Sequence, residues 1–489
     1  MSKHAIATSA ALLLSATPVL ADLSAQDVWT DWQQVYGAMG LPLTADASYA
    51  DGTLTLDAVT MTTDLGGVAS STSYGSLSLT EQADGTVRIN LPASMTMTTV
   101  TTIEGETLEQ SIQFDQEGWT GVITQDGETR IYDFTADSLA YIFDDLVPDQ
   151  GDATVGGRAT LTNLVSRYVN TTSGDTLTTD QTVTADGMVL TMAADGPDSF
   201  DLSYDLGAIT SEGTGTVDLA NISTTSSLSD LGAVFSGDIQ HSGSTLALTA
   251  MSEDGPFTLN GTSTSGRIGF DLNADTLGYE ISSKGAEMAV QVSAFPLPVN
   301  LSMSELTTAI AMPMGVSETP KPFALSLAYR DLALDDALWG LFDPTGQLPR
   351  DPATLLLDLS GTAVMNIDLF GGDPEALAGL QGAPGEVKTL DLTQLRLALA
   401  GAELTGDGAV TFPSPGPLPM PVGKVNLGLT GGLGLLDKLV ALGFVPQEQA
   451  AFIKGMSGVV AKPVGEDELV SEIEFTEGGG ITANGLPLQ

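Results

Sequence analysis

The 489-residue chain has no cysteine. That absence excludes disulfides, thiolate nucleophiles and zinc–sulfur sites together. Histidine is nearly as scarce, with His4 and His241 the only two. Base is short as well: 16 Lys+Arg stand against 62 Asp+Glu, a net charge of −46. Such a surface lacks the charges that neutralise phosphates, which excludes nucleic acid as a partner. It also argues against docking on anionic headgroups through a basic patch. Aromatic residues make up only 6%, so any apolar face must be built from Leu, Val, Ile, Met and Ala. Beyond the leader, no apolar run reaches the roughly 20 residues needed to span a bilayer. Acidity often accompanies disorder, but here 42% of residues are hydrophobic and the patterning is regular, so a folded chain is expected.

What is present begins with a leader. Residues 1–21 read MSKHAIATSAALLLSATPVLA. Lys3 gives a short positive start, Ala10 to Leu14 an apolar centre, and Val19 and Ala21 the small residues a signal peptidase requires. The expectation is a bacterial signal peptide cleaved after Ala21, export to the periplasm, and a mature chain that begins at Asp22 without a transmembrane segment. No cysteine follows the cleavage site, so no lipid-modified anchor is expected.

A helix should open the mature chain. Ser24 can cap it and Asp27 suits its first turn. Val28, Trp32, Val35, Tyr36 and Met39 form its apolar stripe, with Trp29 at the edge, and Gly40 ends it.

Strands follow in long succession, and Asp51 to Thr62 (DGTLTLDAVTMT) states their pattern. Leu54, Leu56 and Ala58 alternate with polar residues, and then Val59 and Met61 continue in the opposite phase. That slip reads as a bulge or a change of buried face. Val87–Leu91, Ile112–Phe114, Phe200–Leu206, Ile268–Leu272, Leu277–Ile281, Met288–Val292 and Leu297–Met303 repeat the alternation. Turn signals stand at Asp126-Gly127, Asp186-Gly187, Asp195-Gly196, Asp254-Gly255 and Asn260-Gly261. Short helices are expected after Asp137, through Leu139, Ile142, Phe143 and Leu146 to Pro148, and after Asp335, through Leu338, Trp339, Leu341 and Phe342.

Prolines and glycines around Met312 to Pro322 suggest a junction between a body over 22–312 and a C-terminal region over 323–489. Gly371 to Gly385 reads as a loop and Pro413 to Pro421 as a stiff linker. Strands through Leu395–Leu399 and to Val410–Phe412 should flank a turn at Asp407-Gly408. Two helices, near Leu435–Leu442 and from Pro446, precede strands at Ile473–Phe475 and Ile481–Ala483. The fold class is therefore mainly β: an elongated, curled antiparallel sheet, groove or sandwich, with a few packing helices at the N-terminus, middle and C-terminus.

The C-terminal run LLDKLVALGFV, PQEQAAFIKGMSGVV, ELVSEIEFTEGGGITANGLPL is the most specific feature. It resembles the tail of a family of uncharacterised exported alphaproteobacterial proteins of the DUF2125 type, which end in a strand pair with an N-G-x-P-L finish. Such families are distantly similar to AsmA-like envelope proteins. That resemblance implies a curled β-sheet with an apolar groove and a role in holding or handing over lipid.

Catalytic constellations are missing. His241 sits in the polar segment GDIQHSGS and reads as a surface residue. There is no G-x-S-x-G elbow, Walker loop or strand-linked G-x-G-x-x-G. The glycines of GGLGLL, Gly431 to Leu436, lack a neighbouring base and suit a loop before a helix. Asp335 and Asp336 beside Trp339 could mimic a sugar site, but capping and packing explain them better. Asp195-Gly-Pro-Asp198 and Asp51-Gly52 are only fragments of a calcium loop. No catalytic, cofactor or metal residue is therefore expected. Two functional readings stand: a non-enzymatic periplasmic holder of a lipid or fatty acid, and a structural or protein-interaction β module whose apolar face is its core.

Overall fold

The computed structural model describes residues 23–38, 40–65, 68–103, 106–143, 154–196, 198–222, 232–253, 255–293, 295, 297–368, 383–413 and 420–488. The leader lies outside these residues, as do most of the Gly371–Gly385 loop and the Pro413–Pro421 linker.

Helix α1 (Ala25–Ala38) opens the chain. Ser24 and Asp27 cap it reciprocally: the Asp27 N–H donates to Ser24 Oγ at 3.1 Å, and the Ser24 N–H donates to Asp27 Oδ2 at 3.3 Å. Then come β1 (Leu43–Ala50), β2 (Thr53–Leu65), β3 (Val68–Ser73), β4 (Leu77–Glu81), β5 (Val87–Asn90), β6 (Ser94–Ile103), β7 (Glu106–Glu117), β8 (Thr120–Asp126) and β9 (Thr129–Phe143). The next run is β10 (Thr154–Ser173), β11 (Thr176–Ala185), β12 (Gly187–Asp195), β13 (Ser199–Leu206) and β14 (Ile209–Asp218), with the single-turn α2 (Leu219–Ile222). After it stand β15 (Val234–His241), β16 (Ser244–Ser252), β17 (Gly255–Ser263), β18 (Ser265–Leu272), β19 (Thr276–Val292), β20 (Val299–Pro313) and β21 (Lys321–Leu334). Helix α3 (Asp336–Phe342), β22 (Ala353–Met365), β23 (Gly385–Leu399), β24 (Ala402–Thr411) and β25 (Val422–Thr430) lead to α4 (Gly432–Ala441) and α5 (Gln447–Val460). Strands β26 (Lys462–Gly465), β27 (Glu468–Phe475), β28 (Ile481–Ala483) and β29 (Leu486–Pro487) finish the chain.

Among the described residues, 29 strands belong to one antiparallel sheet, and its plan is a ladder with two tracks. Long strands span the full width, and shorter ones fill the space between them in two parallel files. From β2, one file runs β4–β5–β8 and the other β3–β6–β7, and both end on β9. From β10, one file runs β11–β14–β15–β18 and the other β12–β13–β16–β17, and both end on β19. From β20 the sheet continues as a single file through β25 to β27. β20 pairs directly with β21 across the Met312–Pro322 connection.

Where the two files meet, the long strands kink: Ala58, Asn163 and Gly285 have φ of 51, 50 and 57°. Asp331 of β21, in the single file, has φ 56°. At Ala58 the kink is a bulge: two steps of β1, Thr44 to Asp46, oppose three steps of β2, Asp57 to Thr60. Because β1 keeps its phase, Leu54, Leu56, Val59 and Met61 all lie on the face shared with Leu43, Ala47 and Tyr49. The extra residue thus keeps the apolar set on one side.

Several local expectations are corrected. Residues 137–143 are strand, because Leu139, Tyr141 and Phe143 alternate against Leu161, Ala159 and Gly157 of β10 and Gln116, Phe114 and Ile112 of β7. Cross-strand packing overrides the helical spacing there. Asn260-Gly261 and Asp407-Gly408 are mid-strand rather than turns. A side chain at Gly408 would meet the Lys424 carbonyl oxygen at 2.5 Å, so glycine marks a close strand approach. The turn between β23 and β24 falls instead at Ala400-Gly401, both at positive φ. Trp29 is buried in the core, edge-on to Trp32 with ring centroids 6.5 Å apart.

The described core is thin and divides into three clusters. The largest joins Val28 and Trp29 of α1 to Leu54, Leu56, Val59, Leu79, Val87 and Ile123. A second gathers Leu177, Val217, Leu272 and Met314, with Val35 of α1 packed against it. A third holds Phe114, Ala136 and Leu139.

The loop after α3 is organised by a carboxylate. Asp343 is fully buried, and its oxygens accept the N–H groups of Gln347 at 2.9 Å and Leu348 at 2.7 Å. Burial is the largest influence on its pKa and opposes ionisation, yet those donors, the Thr345 hydroxyl and Arg350 together hold the pKa below the ordinary value. Asp335, which caps α3 by accepting the Leu338 N–H at 2.8 Å, is lowered chiefly by that bond and then by Asn300. A folded pKa below the unfolded one stabilises the protein above the unfolded carboxylate value of about 3.9, and that contribution disappears as pH falls through the folded value. Asp335→Asn with Asp343→Asn should therefore lower the melting temperature near neutral pH. The gap to the unmodified chain should close in acid, which a circular-dichroism melt series would show.

Candidate ligand-binding face

The strand registers assemble a feature that no single segment carries. One cross-strand row runs Leu54, Leu79, Ile89, Gly121, Phe134, Ser166, Val183, Ser211 and Ile239, from β2 to β15. It continues through Ile268, Ile281, Thr308, Leu327, Leu357, Leu395, Gly406, Leu427 and Ser471, from β18 to β27. None of these residues is charged. At the usual strand spacing the row is about 80 Å long. A second row lies beside it on the same face, two residues along each strand: Phe270, Tyr279, Ile310, Leu325 and Leu359. The row on the opposite face differs completely, with Asp133, Arg167, Thr182, Glu212 and Asp238 in register.

Helices cover the two ends of this apolar stripe and leave its middle open. At one end α1 buries Leu54, Leu79 and Ile89. At the other, α4 packs on β24. Between them Ile239, Ile268, Phe270, Tyr279 and Ile281 are 41–48% exposed. An apolar patch shared by adjacent strands differs from singly scattered surface residues and marks an interaction surface. One polar pair on this face is matched internally, with Thr308 Oγ1 and the Tyr329 hydroxyl 2.9 Å apart.

The ion pairs of the central strands lie on the other side. Arg267 lies 2.7 Å from Glu280 and 3.6 Å from Asp238, and the Glu280 hydrogen bond is the main reason its pKa is raised. Arg330 meets Glu305 at 2.8 Å, and Arg396 meets Glu403 at 3.2 Å. A shallow depression of about 790 Å³ crosses β11 to β21, where Gly213, Gly237, Gly269, Gly278 and Ala309 replace bulkier residues. Arg267 at its margin is already opposed by two carboxylates and offers no spare charge to an anionic group.

The residues weighed for chemistry fall into structural roles. His241 ends β15, and its Nδ1 lies 2.8 Å from the Gly243 carbonyl oxygen in the β15–β16 turn. Asp335 caps α3, Asp336 pairs with Arg350, and Trp339 is buried with its ring centroid 5.0 Å from that of Phe342. Asp51-Gly52 forms the β1–β2 turn, both residues at positive φ. No group of three or more His, Asp or Glu side chains is placed to hold a metal ion among the described residues. None of the described helices is long and apolar enough to cross a membrane.

The Gly431–Leu436 run is the start of α4, with Gly431 at φ 71° as its N-cap. The helix already has an internal anion: the Asp467 carboxylate accepts the N–H groups of Leu433 at 3.0 Å and Gly434 at 2.8 Å. Asp467 thus takes the place a phosphate would need. The Asn484-Gly485 finish also has a defined task. Asn484 and Gly485, at φ 51 and 81°, turn β28 into β29. The Asn484 amide donates to the Val460 carbonyl at the end of α5, and its oxygen accepts the Glu472 N–H, both at 3.1 Å.

These features define a mainly β protein with one long antiparallel sheet, polar on one side and carrying an uncharged stripe on the other. The chain belongs to a family described as uncharacterised proteins conserved in bacteria (DUF2125), whose profile matches residues 239–488. That match begins at Ile239, where the exposed part of the stripe starts, and includes the Asn484-Gly485 clamp. No curated protein and no solved structure matches the chain.

Proposed function

We propose that this chain is a non-enzymatic protein of the bacterial periplasm that holds a lipid or fatty acid along its apolar stripe. The supporting observation is the row from Leu54 to Ser471, uncharged throughout in a chain of net charge −46 and left open between its helix-covered ends. Burying an acyl tail is favourable by about 0.8 kcal/mol per CH₂, on the order of 10 kcal/mol for one long chain. Surface charges are screened over about 8 Å at physiological salt, so the carboxylates of the opposite face do not outweigh that gain. The ligand's headgroup would project from the rim, away from the paired carboxylates.

Native mass spectrometry of protein purified from a bacterial periplasm tests this reading. The expected result is a population with an added mass of one or more fatty acids or phospholipids, confirmed by organic extraction. Ile239→Thr, Ile268→Thr and Ile281→Thr together keep strand propensity but remove methyl groups from the open stretch. That variant should lose most of the bound lipid while melting close to the unmodified chain. A bare chain in every preparation, or equal lipid in both proteins, would refute the proposal.

A further inference from the structure

The sheet is finished differently at its two edges. At the last edge, β26 and β28 cover the outer side of β27, and Pro463 and Pro487 interrupt the short outermost strands β26 and β29. Short strands and proline are usual guards against edge pairing. At the first edge, β1 has neither. It runs for 8 residues, LTADASYA, pairs with β2 alone among the described residues, and is exposed from Asp46 to Ala50.

Turn geometry fixes which backbone groups of β1 point outward. Ala50 and Thr53 flank the two-residue Asp51-Gly52 turn, so they form a hydrogen-bonded pair. Alternation then turns the N–H and C=O of Ser48 and Asp46 toward β2, and those of Tyr49, Ala47 and Ala45 away from it. Two contacts agree with this phase. The Pro42 carbonyl accepts the Thr62 N–H of β2, and the outward Leu43 carbonyl accepts from Gln33 Nε2 of α1 at 3.1 Å. Among the described residues, no hydrogen bond reaches the outward groups of Ala45, Ala47 or Tyr49.

We propose that β1 pairs with β1 of a second copy across a two-fold axis, joining two sheets edge to edge. An extended strand is the element that satisfies such a row of donors and acceptors, and the sequence of β1 is complementary to itself. An axis at Ala47 sets Ala47 against Ala47 and Ala45 against Tyr49 on each side, three pairs that each exchange two N–H···O bonds. The same register places Asp46 opposite Ser48, a hydroxyl that donates to the carboxylate. An axis at Asp46 would bring two carboxylates face to face, with Cα atoms about 4.5 Å apart. An axis at Ala45 would call on the Leu43 carbonyl that Gln33 already holds. Charge and hydrogen bonding thus select one register. Ala47 and Tyr49 share the face of Leu54 and Leu56, so the pairing would carry that face across both copies. The proposal does not depend on the stripe being occupied.

Light scattering of the full chain over a concentration series tests it, and the mass should rise toward twice that of the monomer. Ala47→Pro removes an outward N–H and leaves the ladder with β2 intact, so it should weaken the dimer roughly tenfold or more while melting close to the unmodified chain. Ser48→Asp should weaken the dimer several-fold and Ser48→Lys should strengthen it several-fold, because each meets Asp46 of the second copy. With no native cysteine, single cysteines report the register. Ala47→Cys should oxidise to a covalent dimer, its Cα atoms being about 5.5 Å apart. Thr44→Cys, about 20 Å from its symmetry mate, should not. If Ala47→Pro fails to fold, the two Ser48 variants carry the test. A monomer at every concentration overturns the proposal. So does a dimer indifferent to the Ser48 variants, or one that cross-links as readily through Thr44→Cys as through Ala47→Cys.

Discussion

Leu56→Ala is expected to destabilise the protein by about 3–5 kcal/mol, the cost of a cavity at a well-packed site that cannot collapse. Leu56 has no exposed surface and sits where α1 closes over β2, among Val28, Leu54, Val59, Leu79 and Ile123. The matched substitution at the open stretch, Ile268→Ala, should cost about 1 kcal/mol or less, because 42% of Ile268 is already in contact with solvent. Leu56 lies two residues along β2 from Leu54, on the face of the cross-strand row that holds Ile268, and both carry branched aliphatic side chains. Urea denaturation of the two variants therefore separates the part of that face that is core from the part that is surface. If Ile268→Ala cost as much as Leu56→Ala, the stripe would be a packed interior and the binding proposal would fail with it.

Local patterning made most elements legible. Alternation in Phe200–Leu206 and Leu277–Ile281 found strands β13 and β19, and Ser24 and Asp335 marked helix starts through the carboxylate or hydroxyl that capping requires. The C-terminal helix pair and terminal strands were equally plain in their spacing. What sequence could not supply was register. Leu54, Phe134, Ile239 and Leu395 are far apart in sequence, 80 positions at the least (134 − 54), and only cross-strand pairing puts them in one line. The phase slip at Ala58-Val59 was visible, but its meaning depended on β1 keeping its own phase opposite. Asp137 to Phe143 satisfied helix and strand templates at once, and the partners in β7 and β10 decided it. Asp407-Gly408 carried a turn signal, yet the glycine serves the passage of β25. The orientation of α5 was hidden for a similar reason: spacing locates its apolar residues without saying that Ala450 faces inward while Phe452, Met456 and Val459 stay exposed.

The second large effect is expected at Gly361, in the middle of β22. Its partners are Phe323 of β21 and Leu390 of β23. A Cβ there would strike the Thr389 carbonyl oxygen and come within 2.6 Å of the Phe323 ring. The ring could rotate away, but the carbonyl belongs to the backbone of the adjacent strand and cannot move without breaking the ladder. Gly361→Val should therefore cost about 3 kcal/mol or more. Since β20 to β27 form a single file, no second track can carry the pairing around the damage. The opposite sign is expected at Gly455, a helical position in α5 with open space around its Cα. There Gly455→Ala should stabilise by about 0.5–1 kcal/mol, because alanine restricts the unfolded chain and favours helix. Thermal melts of the two variants give the comparison. A mild effect at Gly361 would mean that β22 and β23 can separate locally, and an unbroken row from Leu357 to Leu395 would then be untenable.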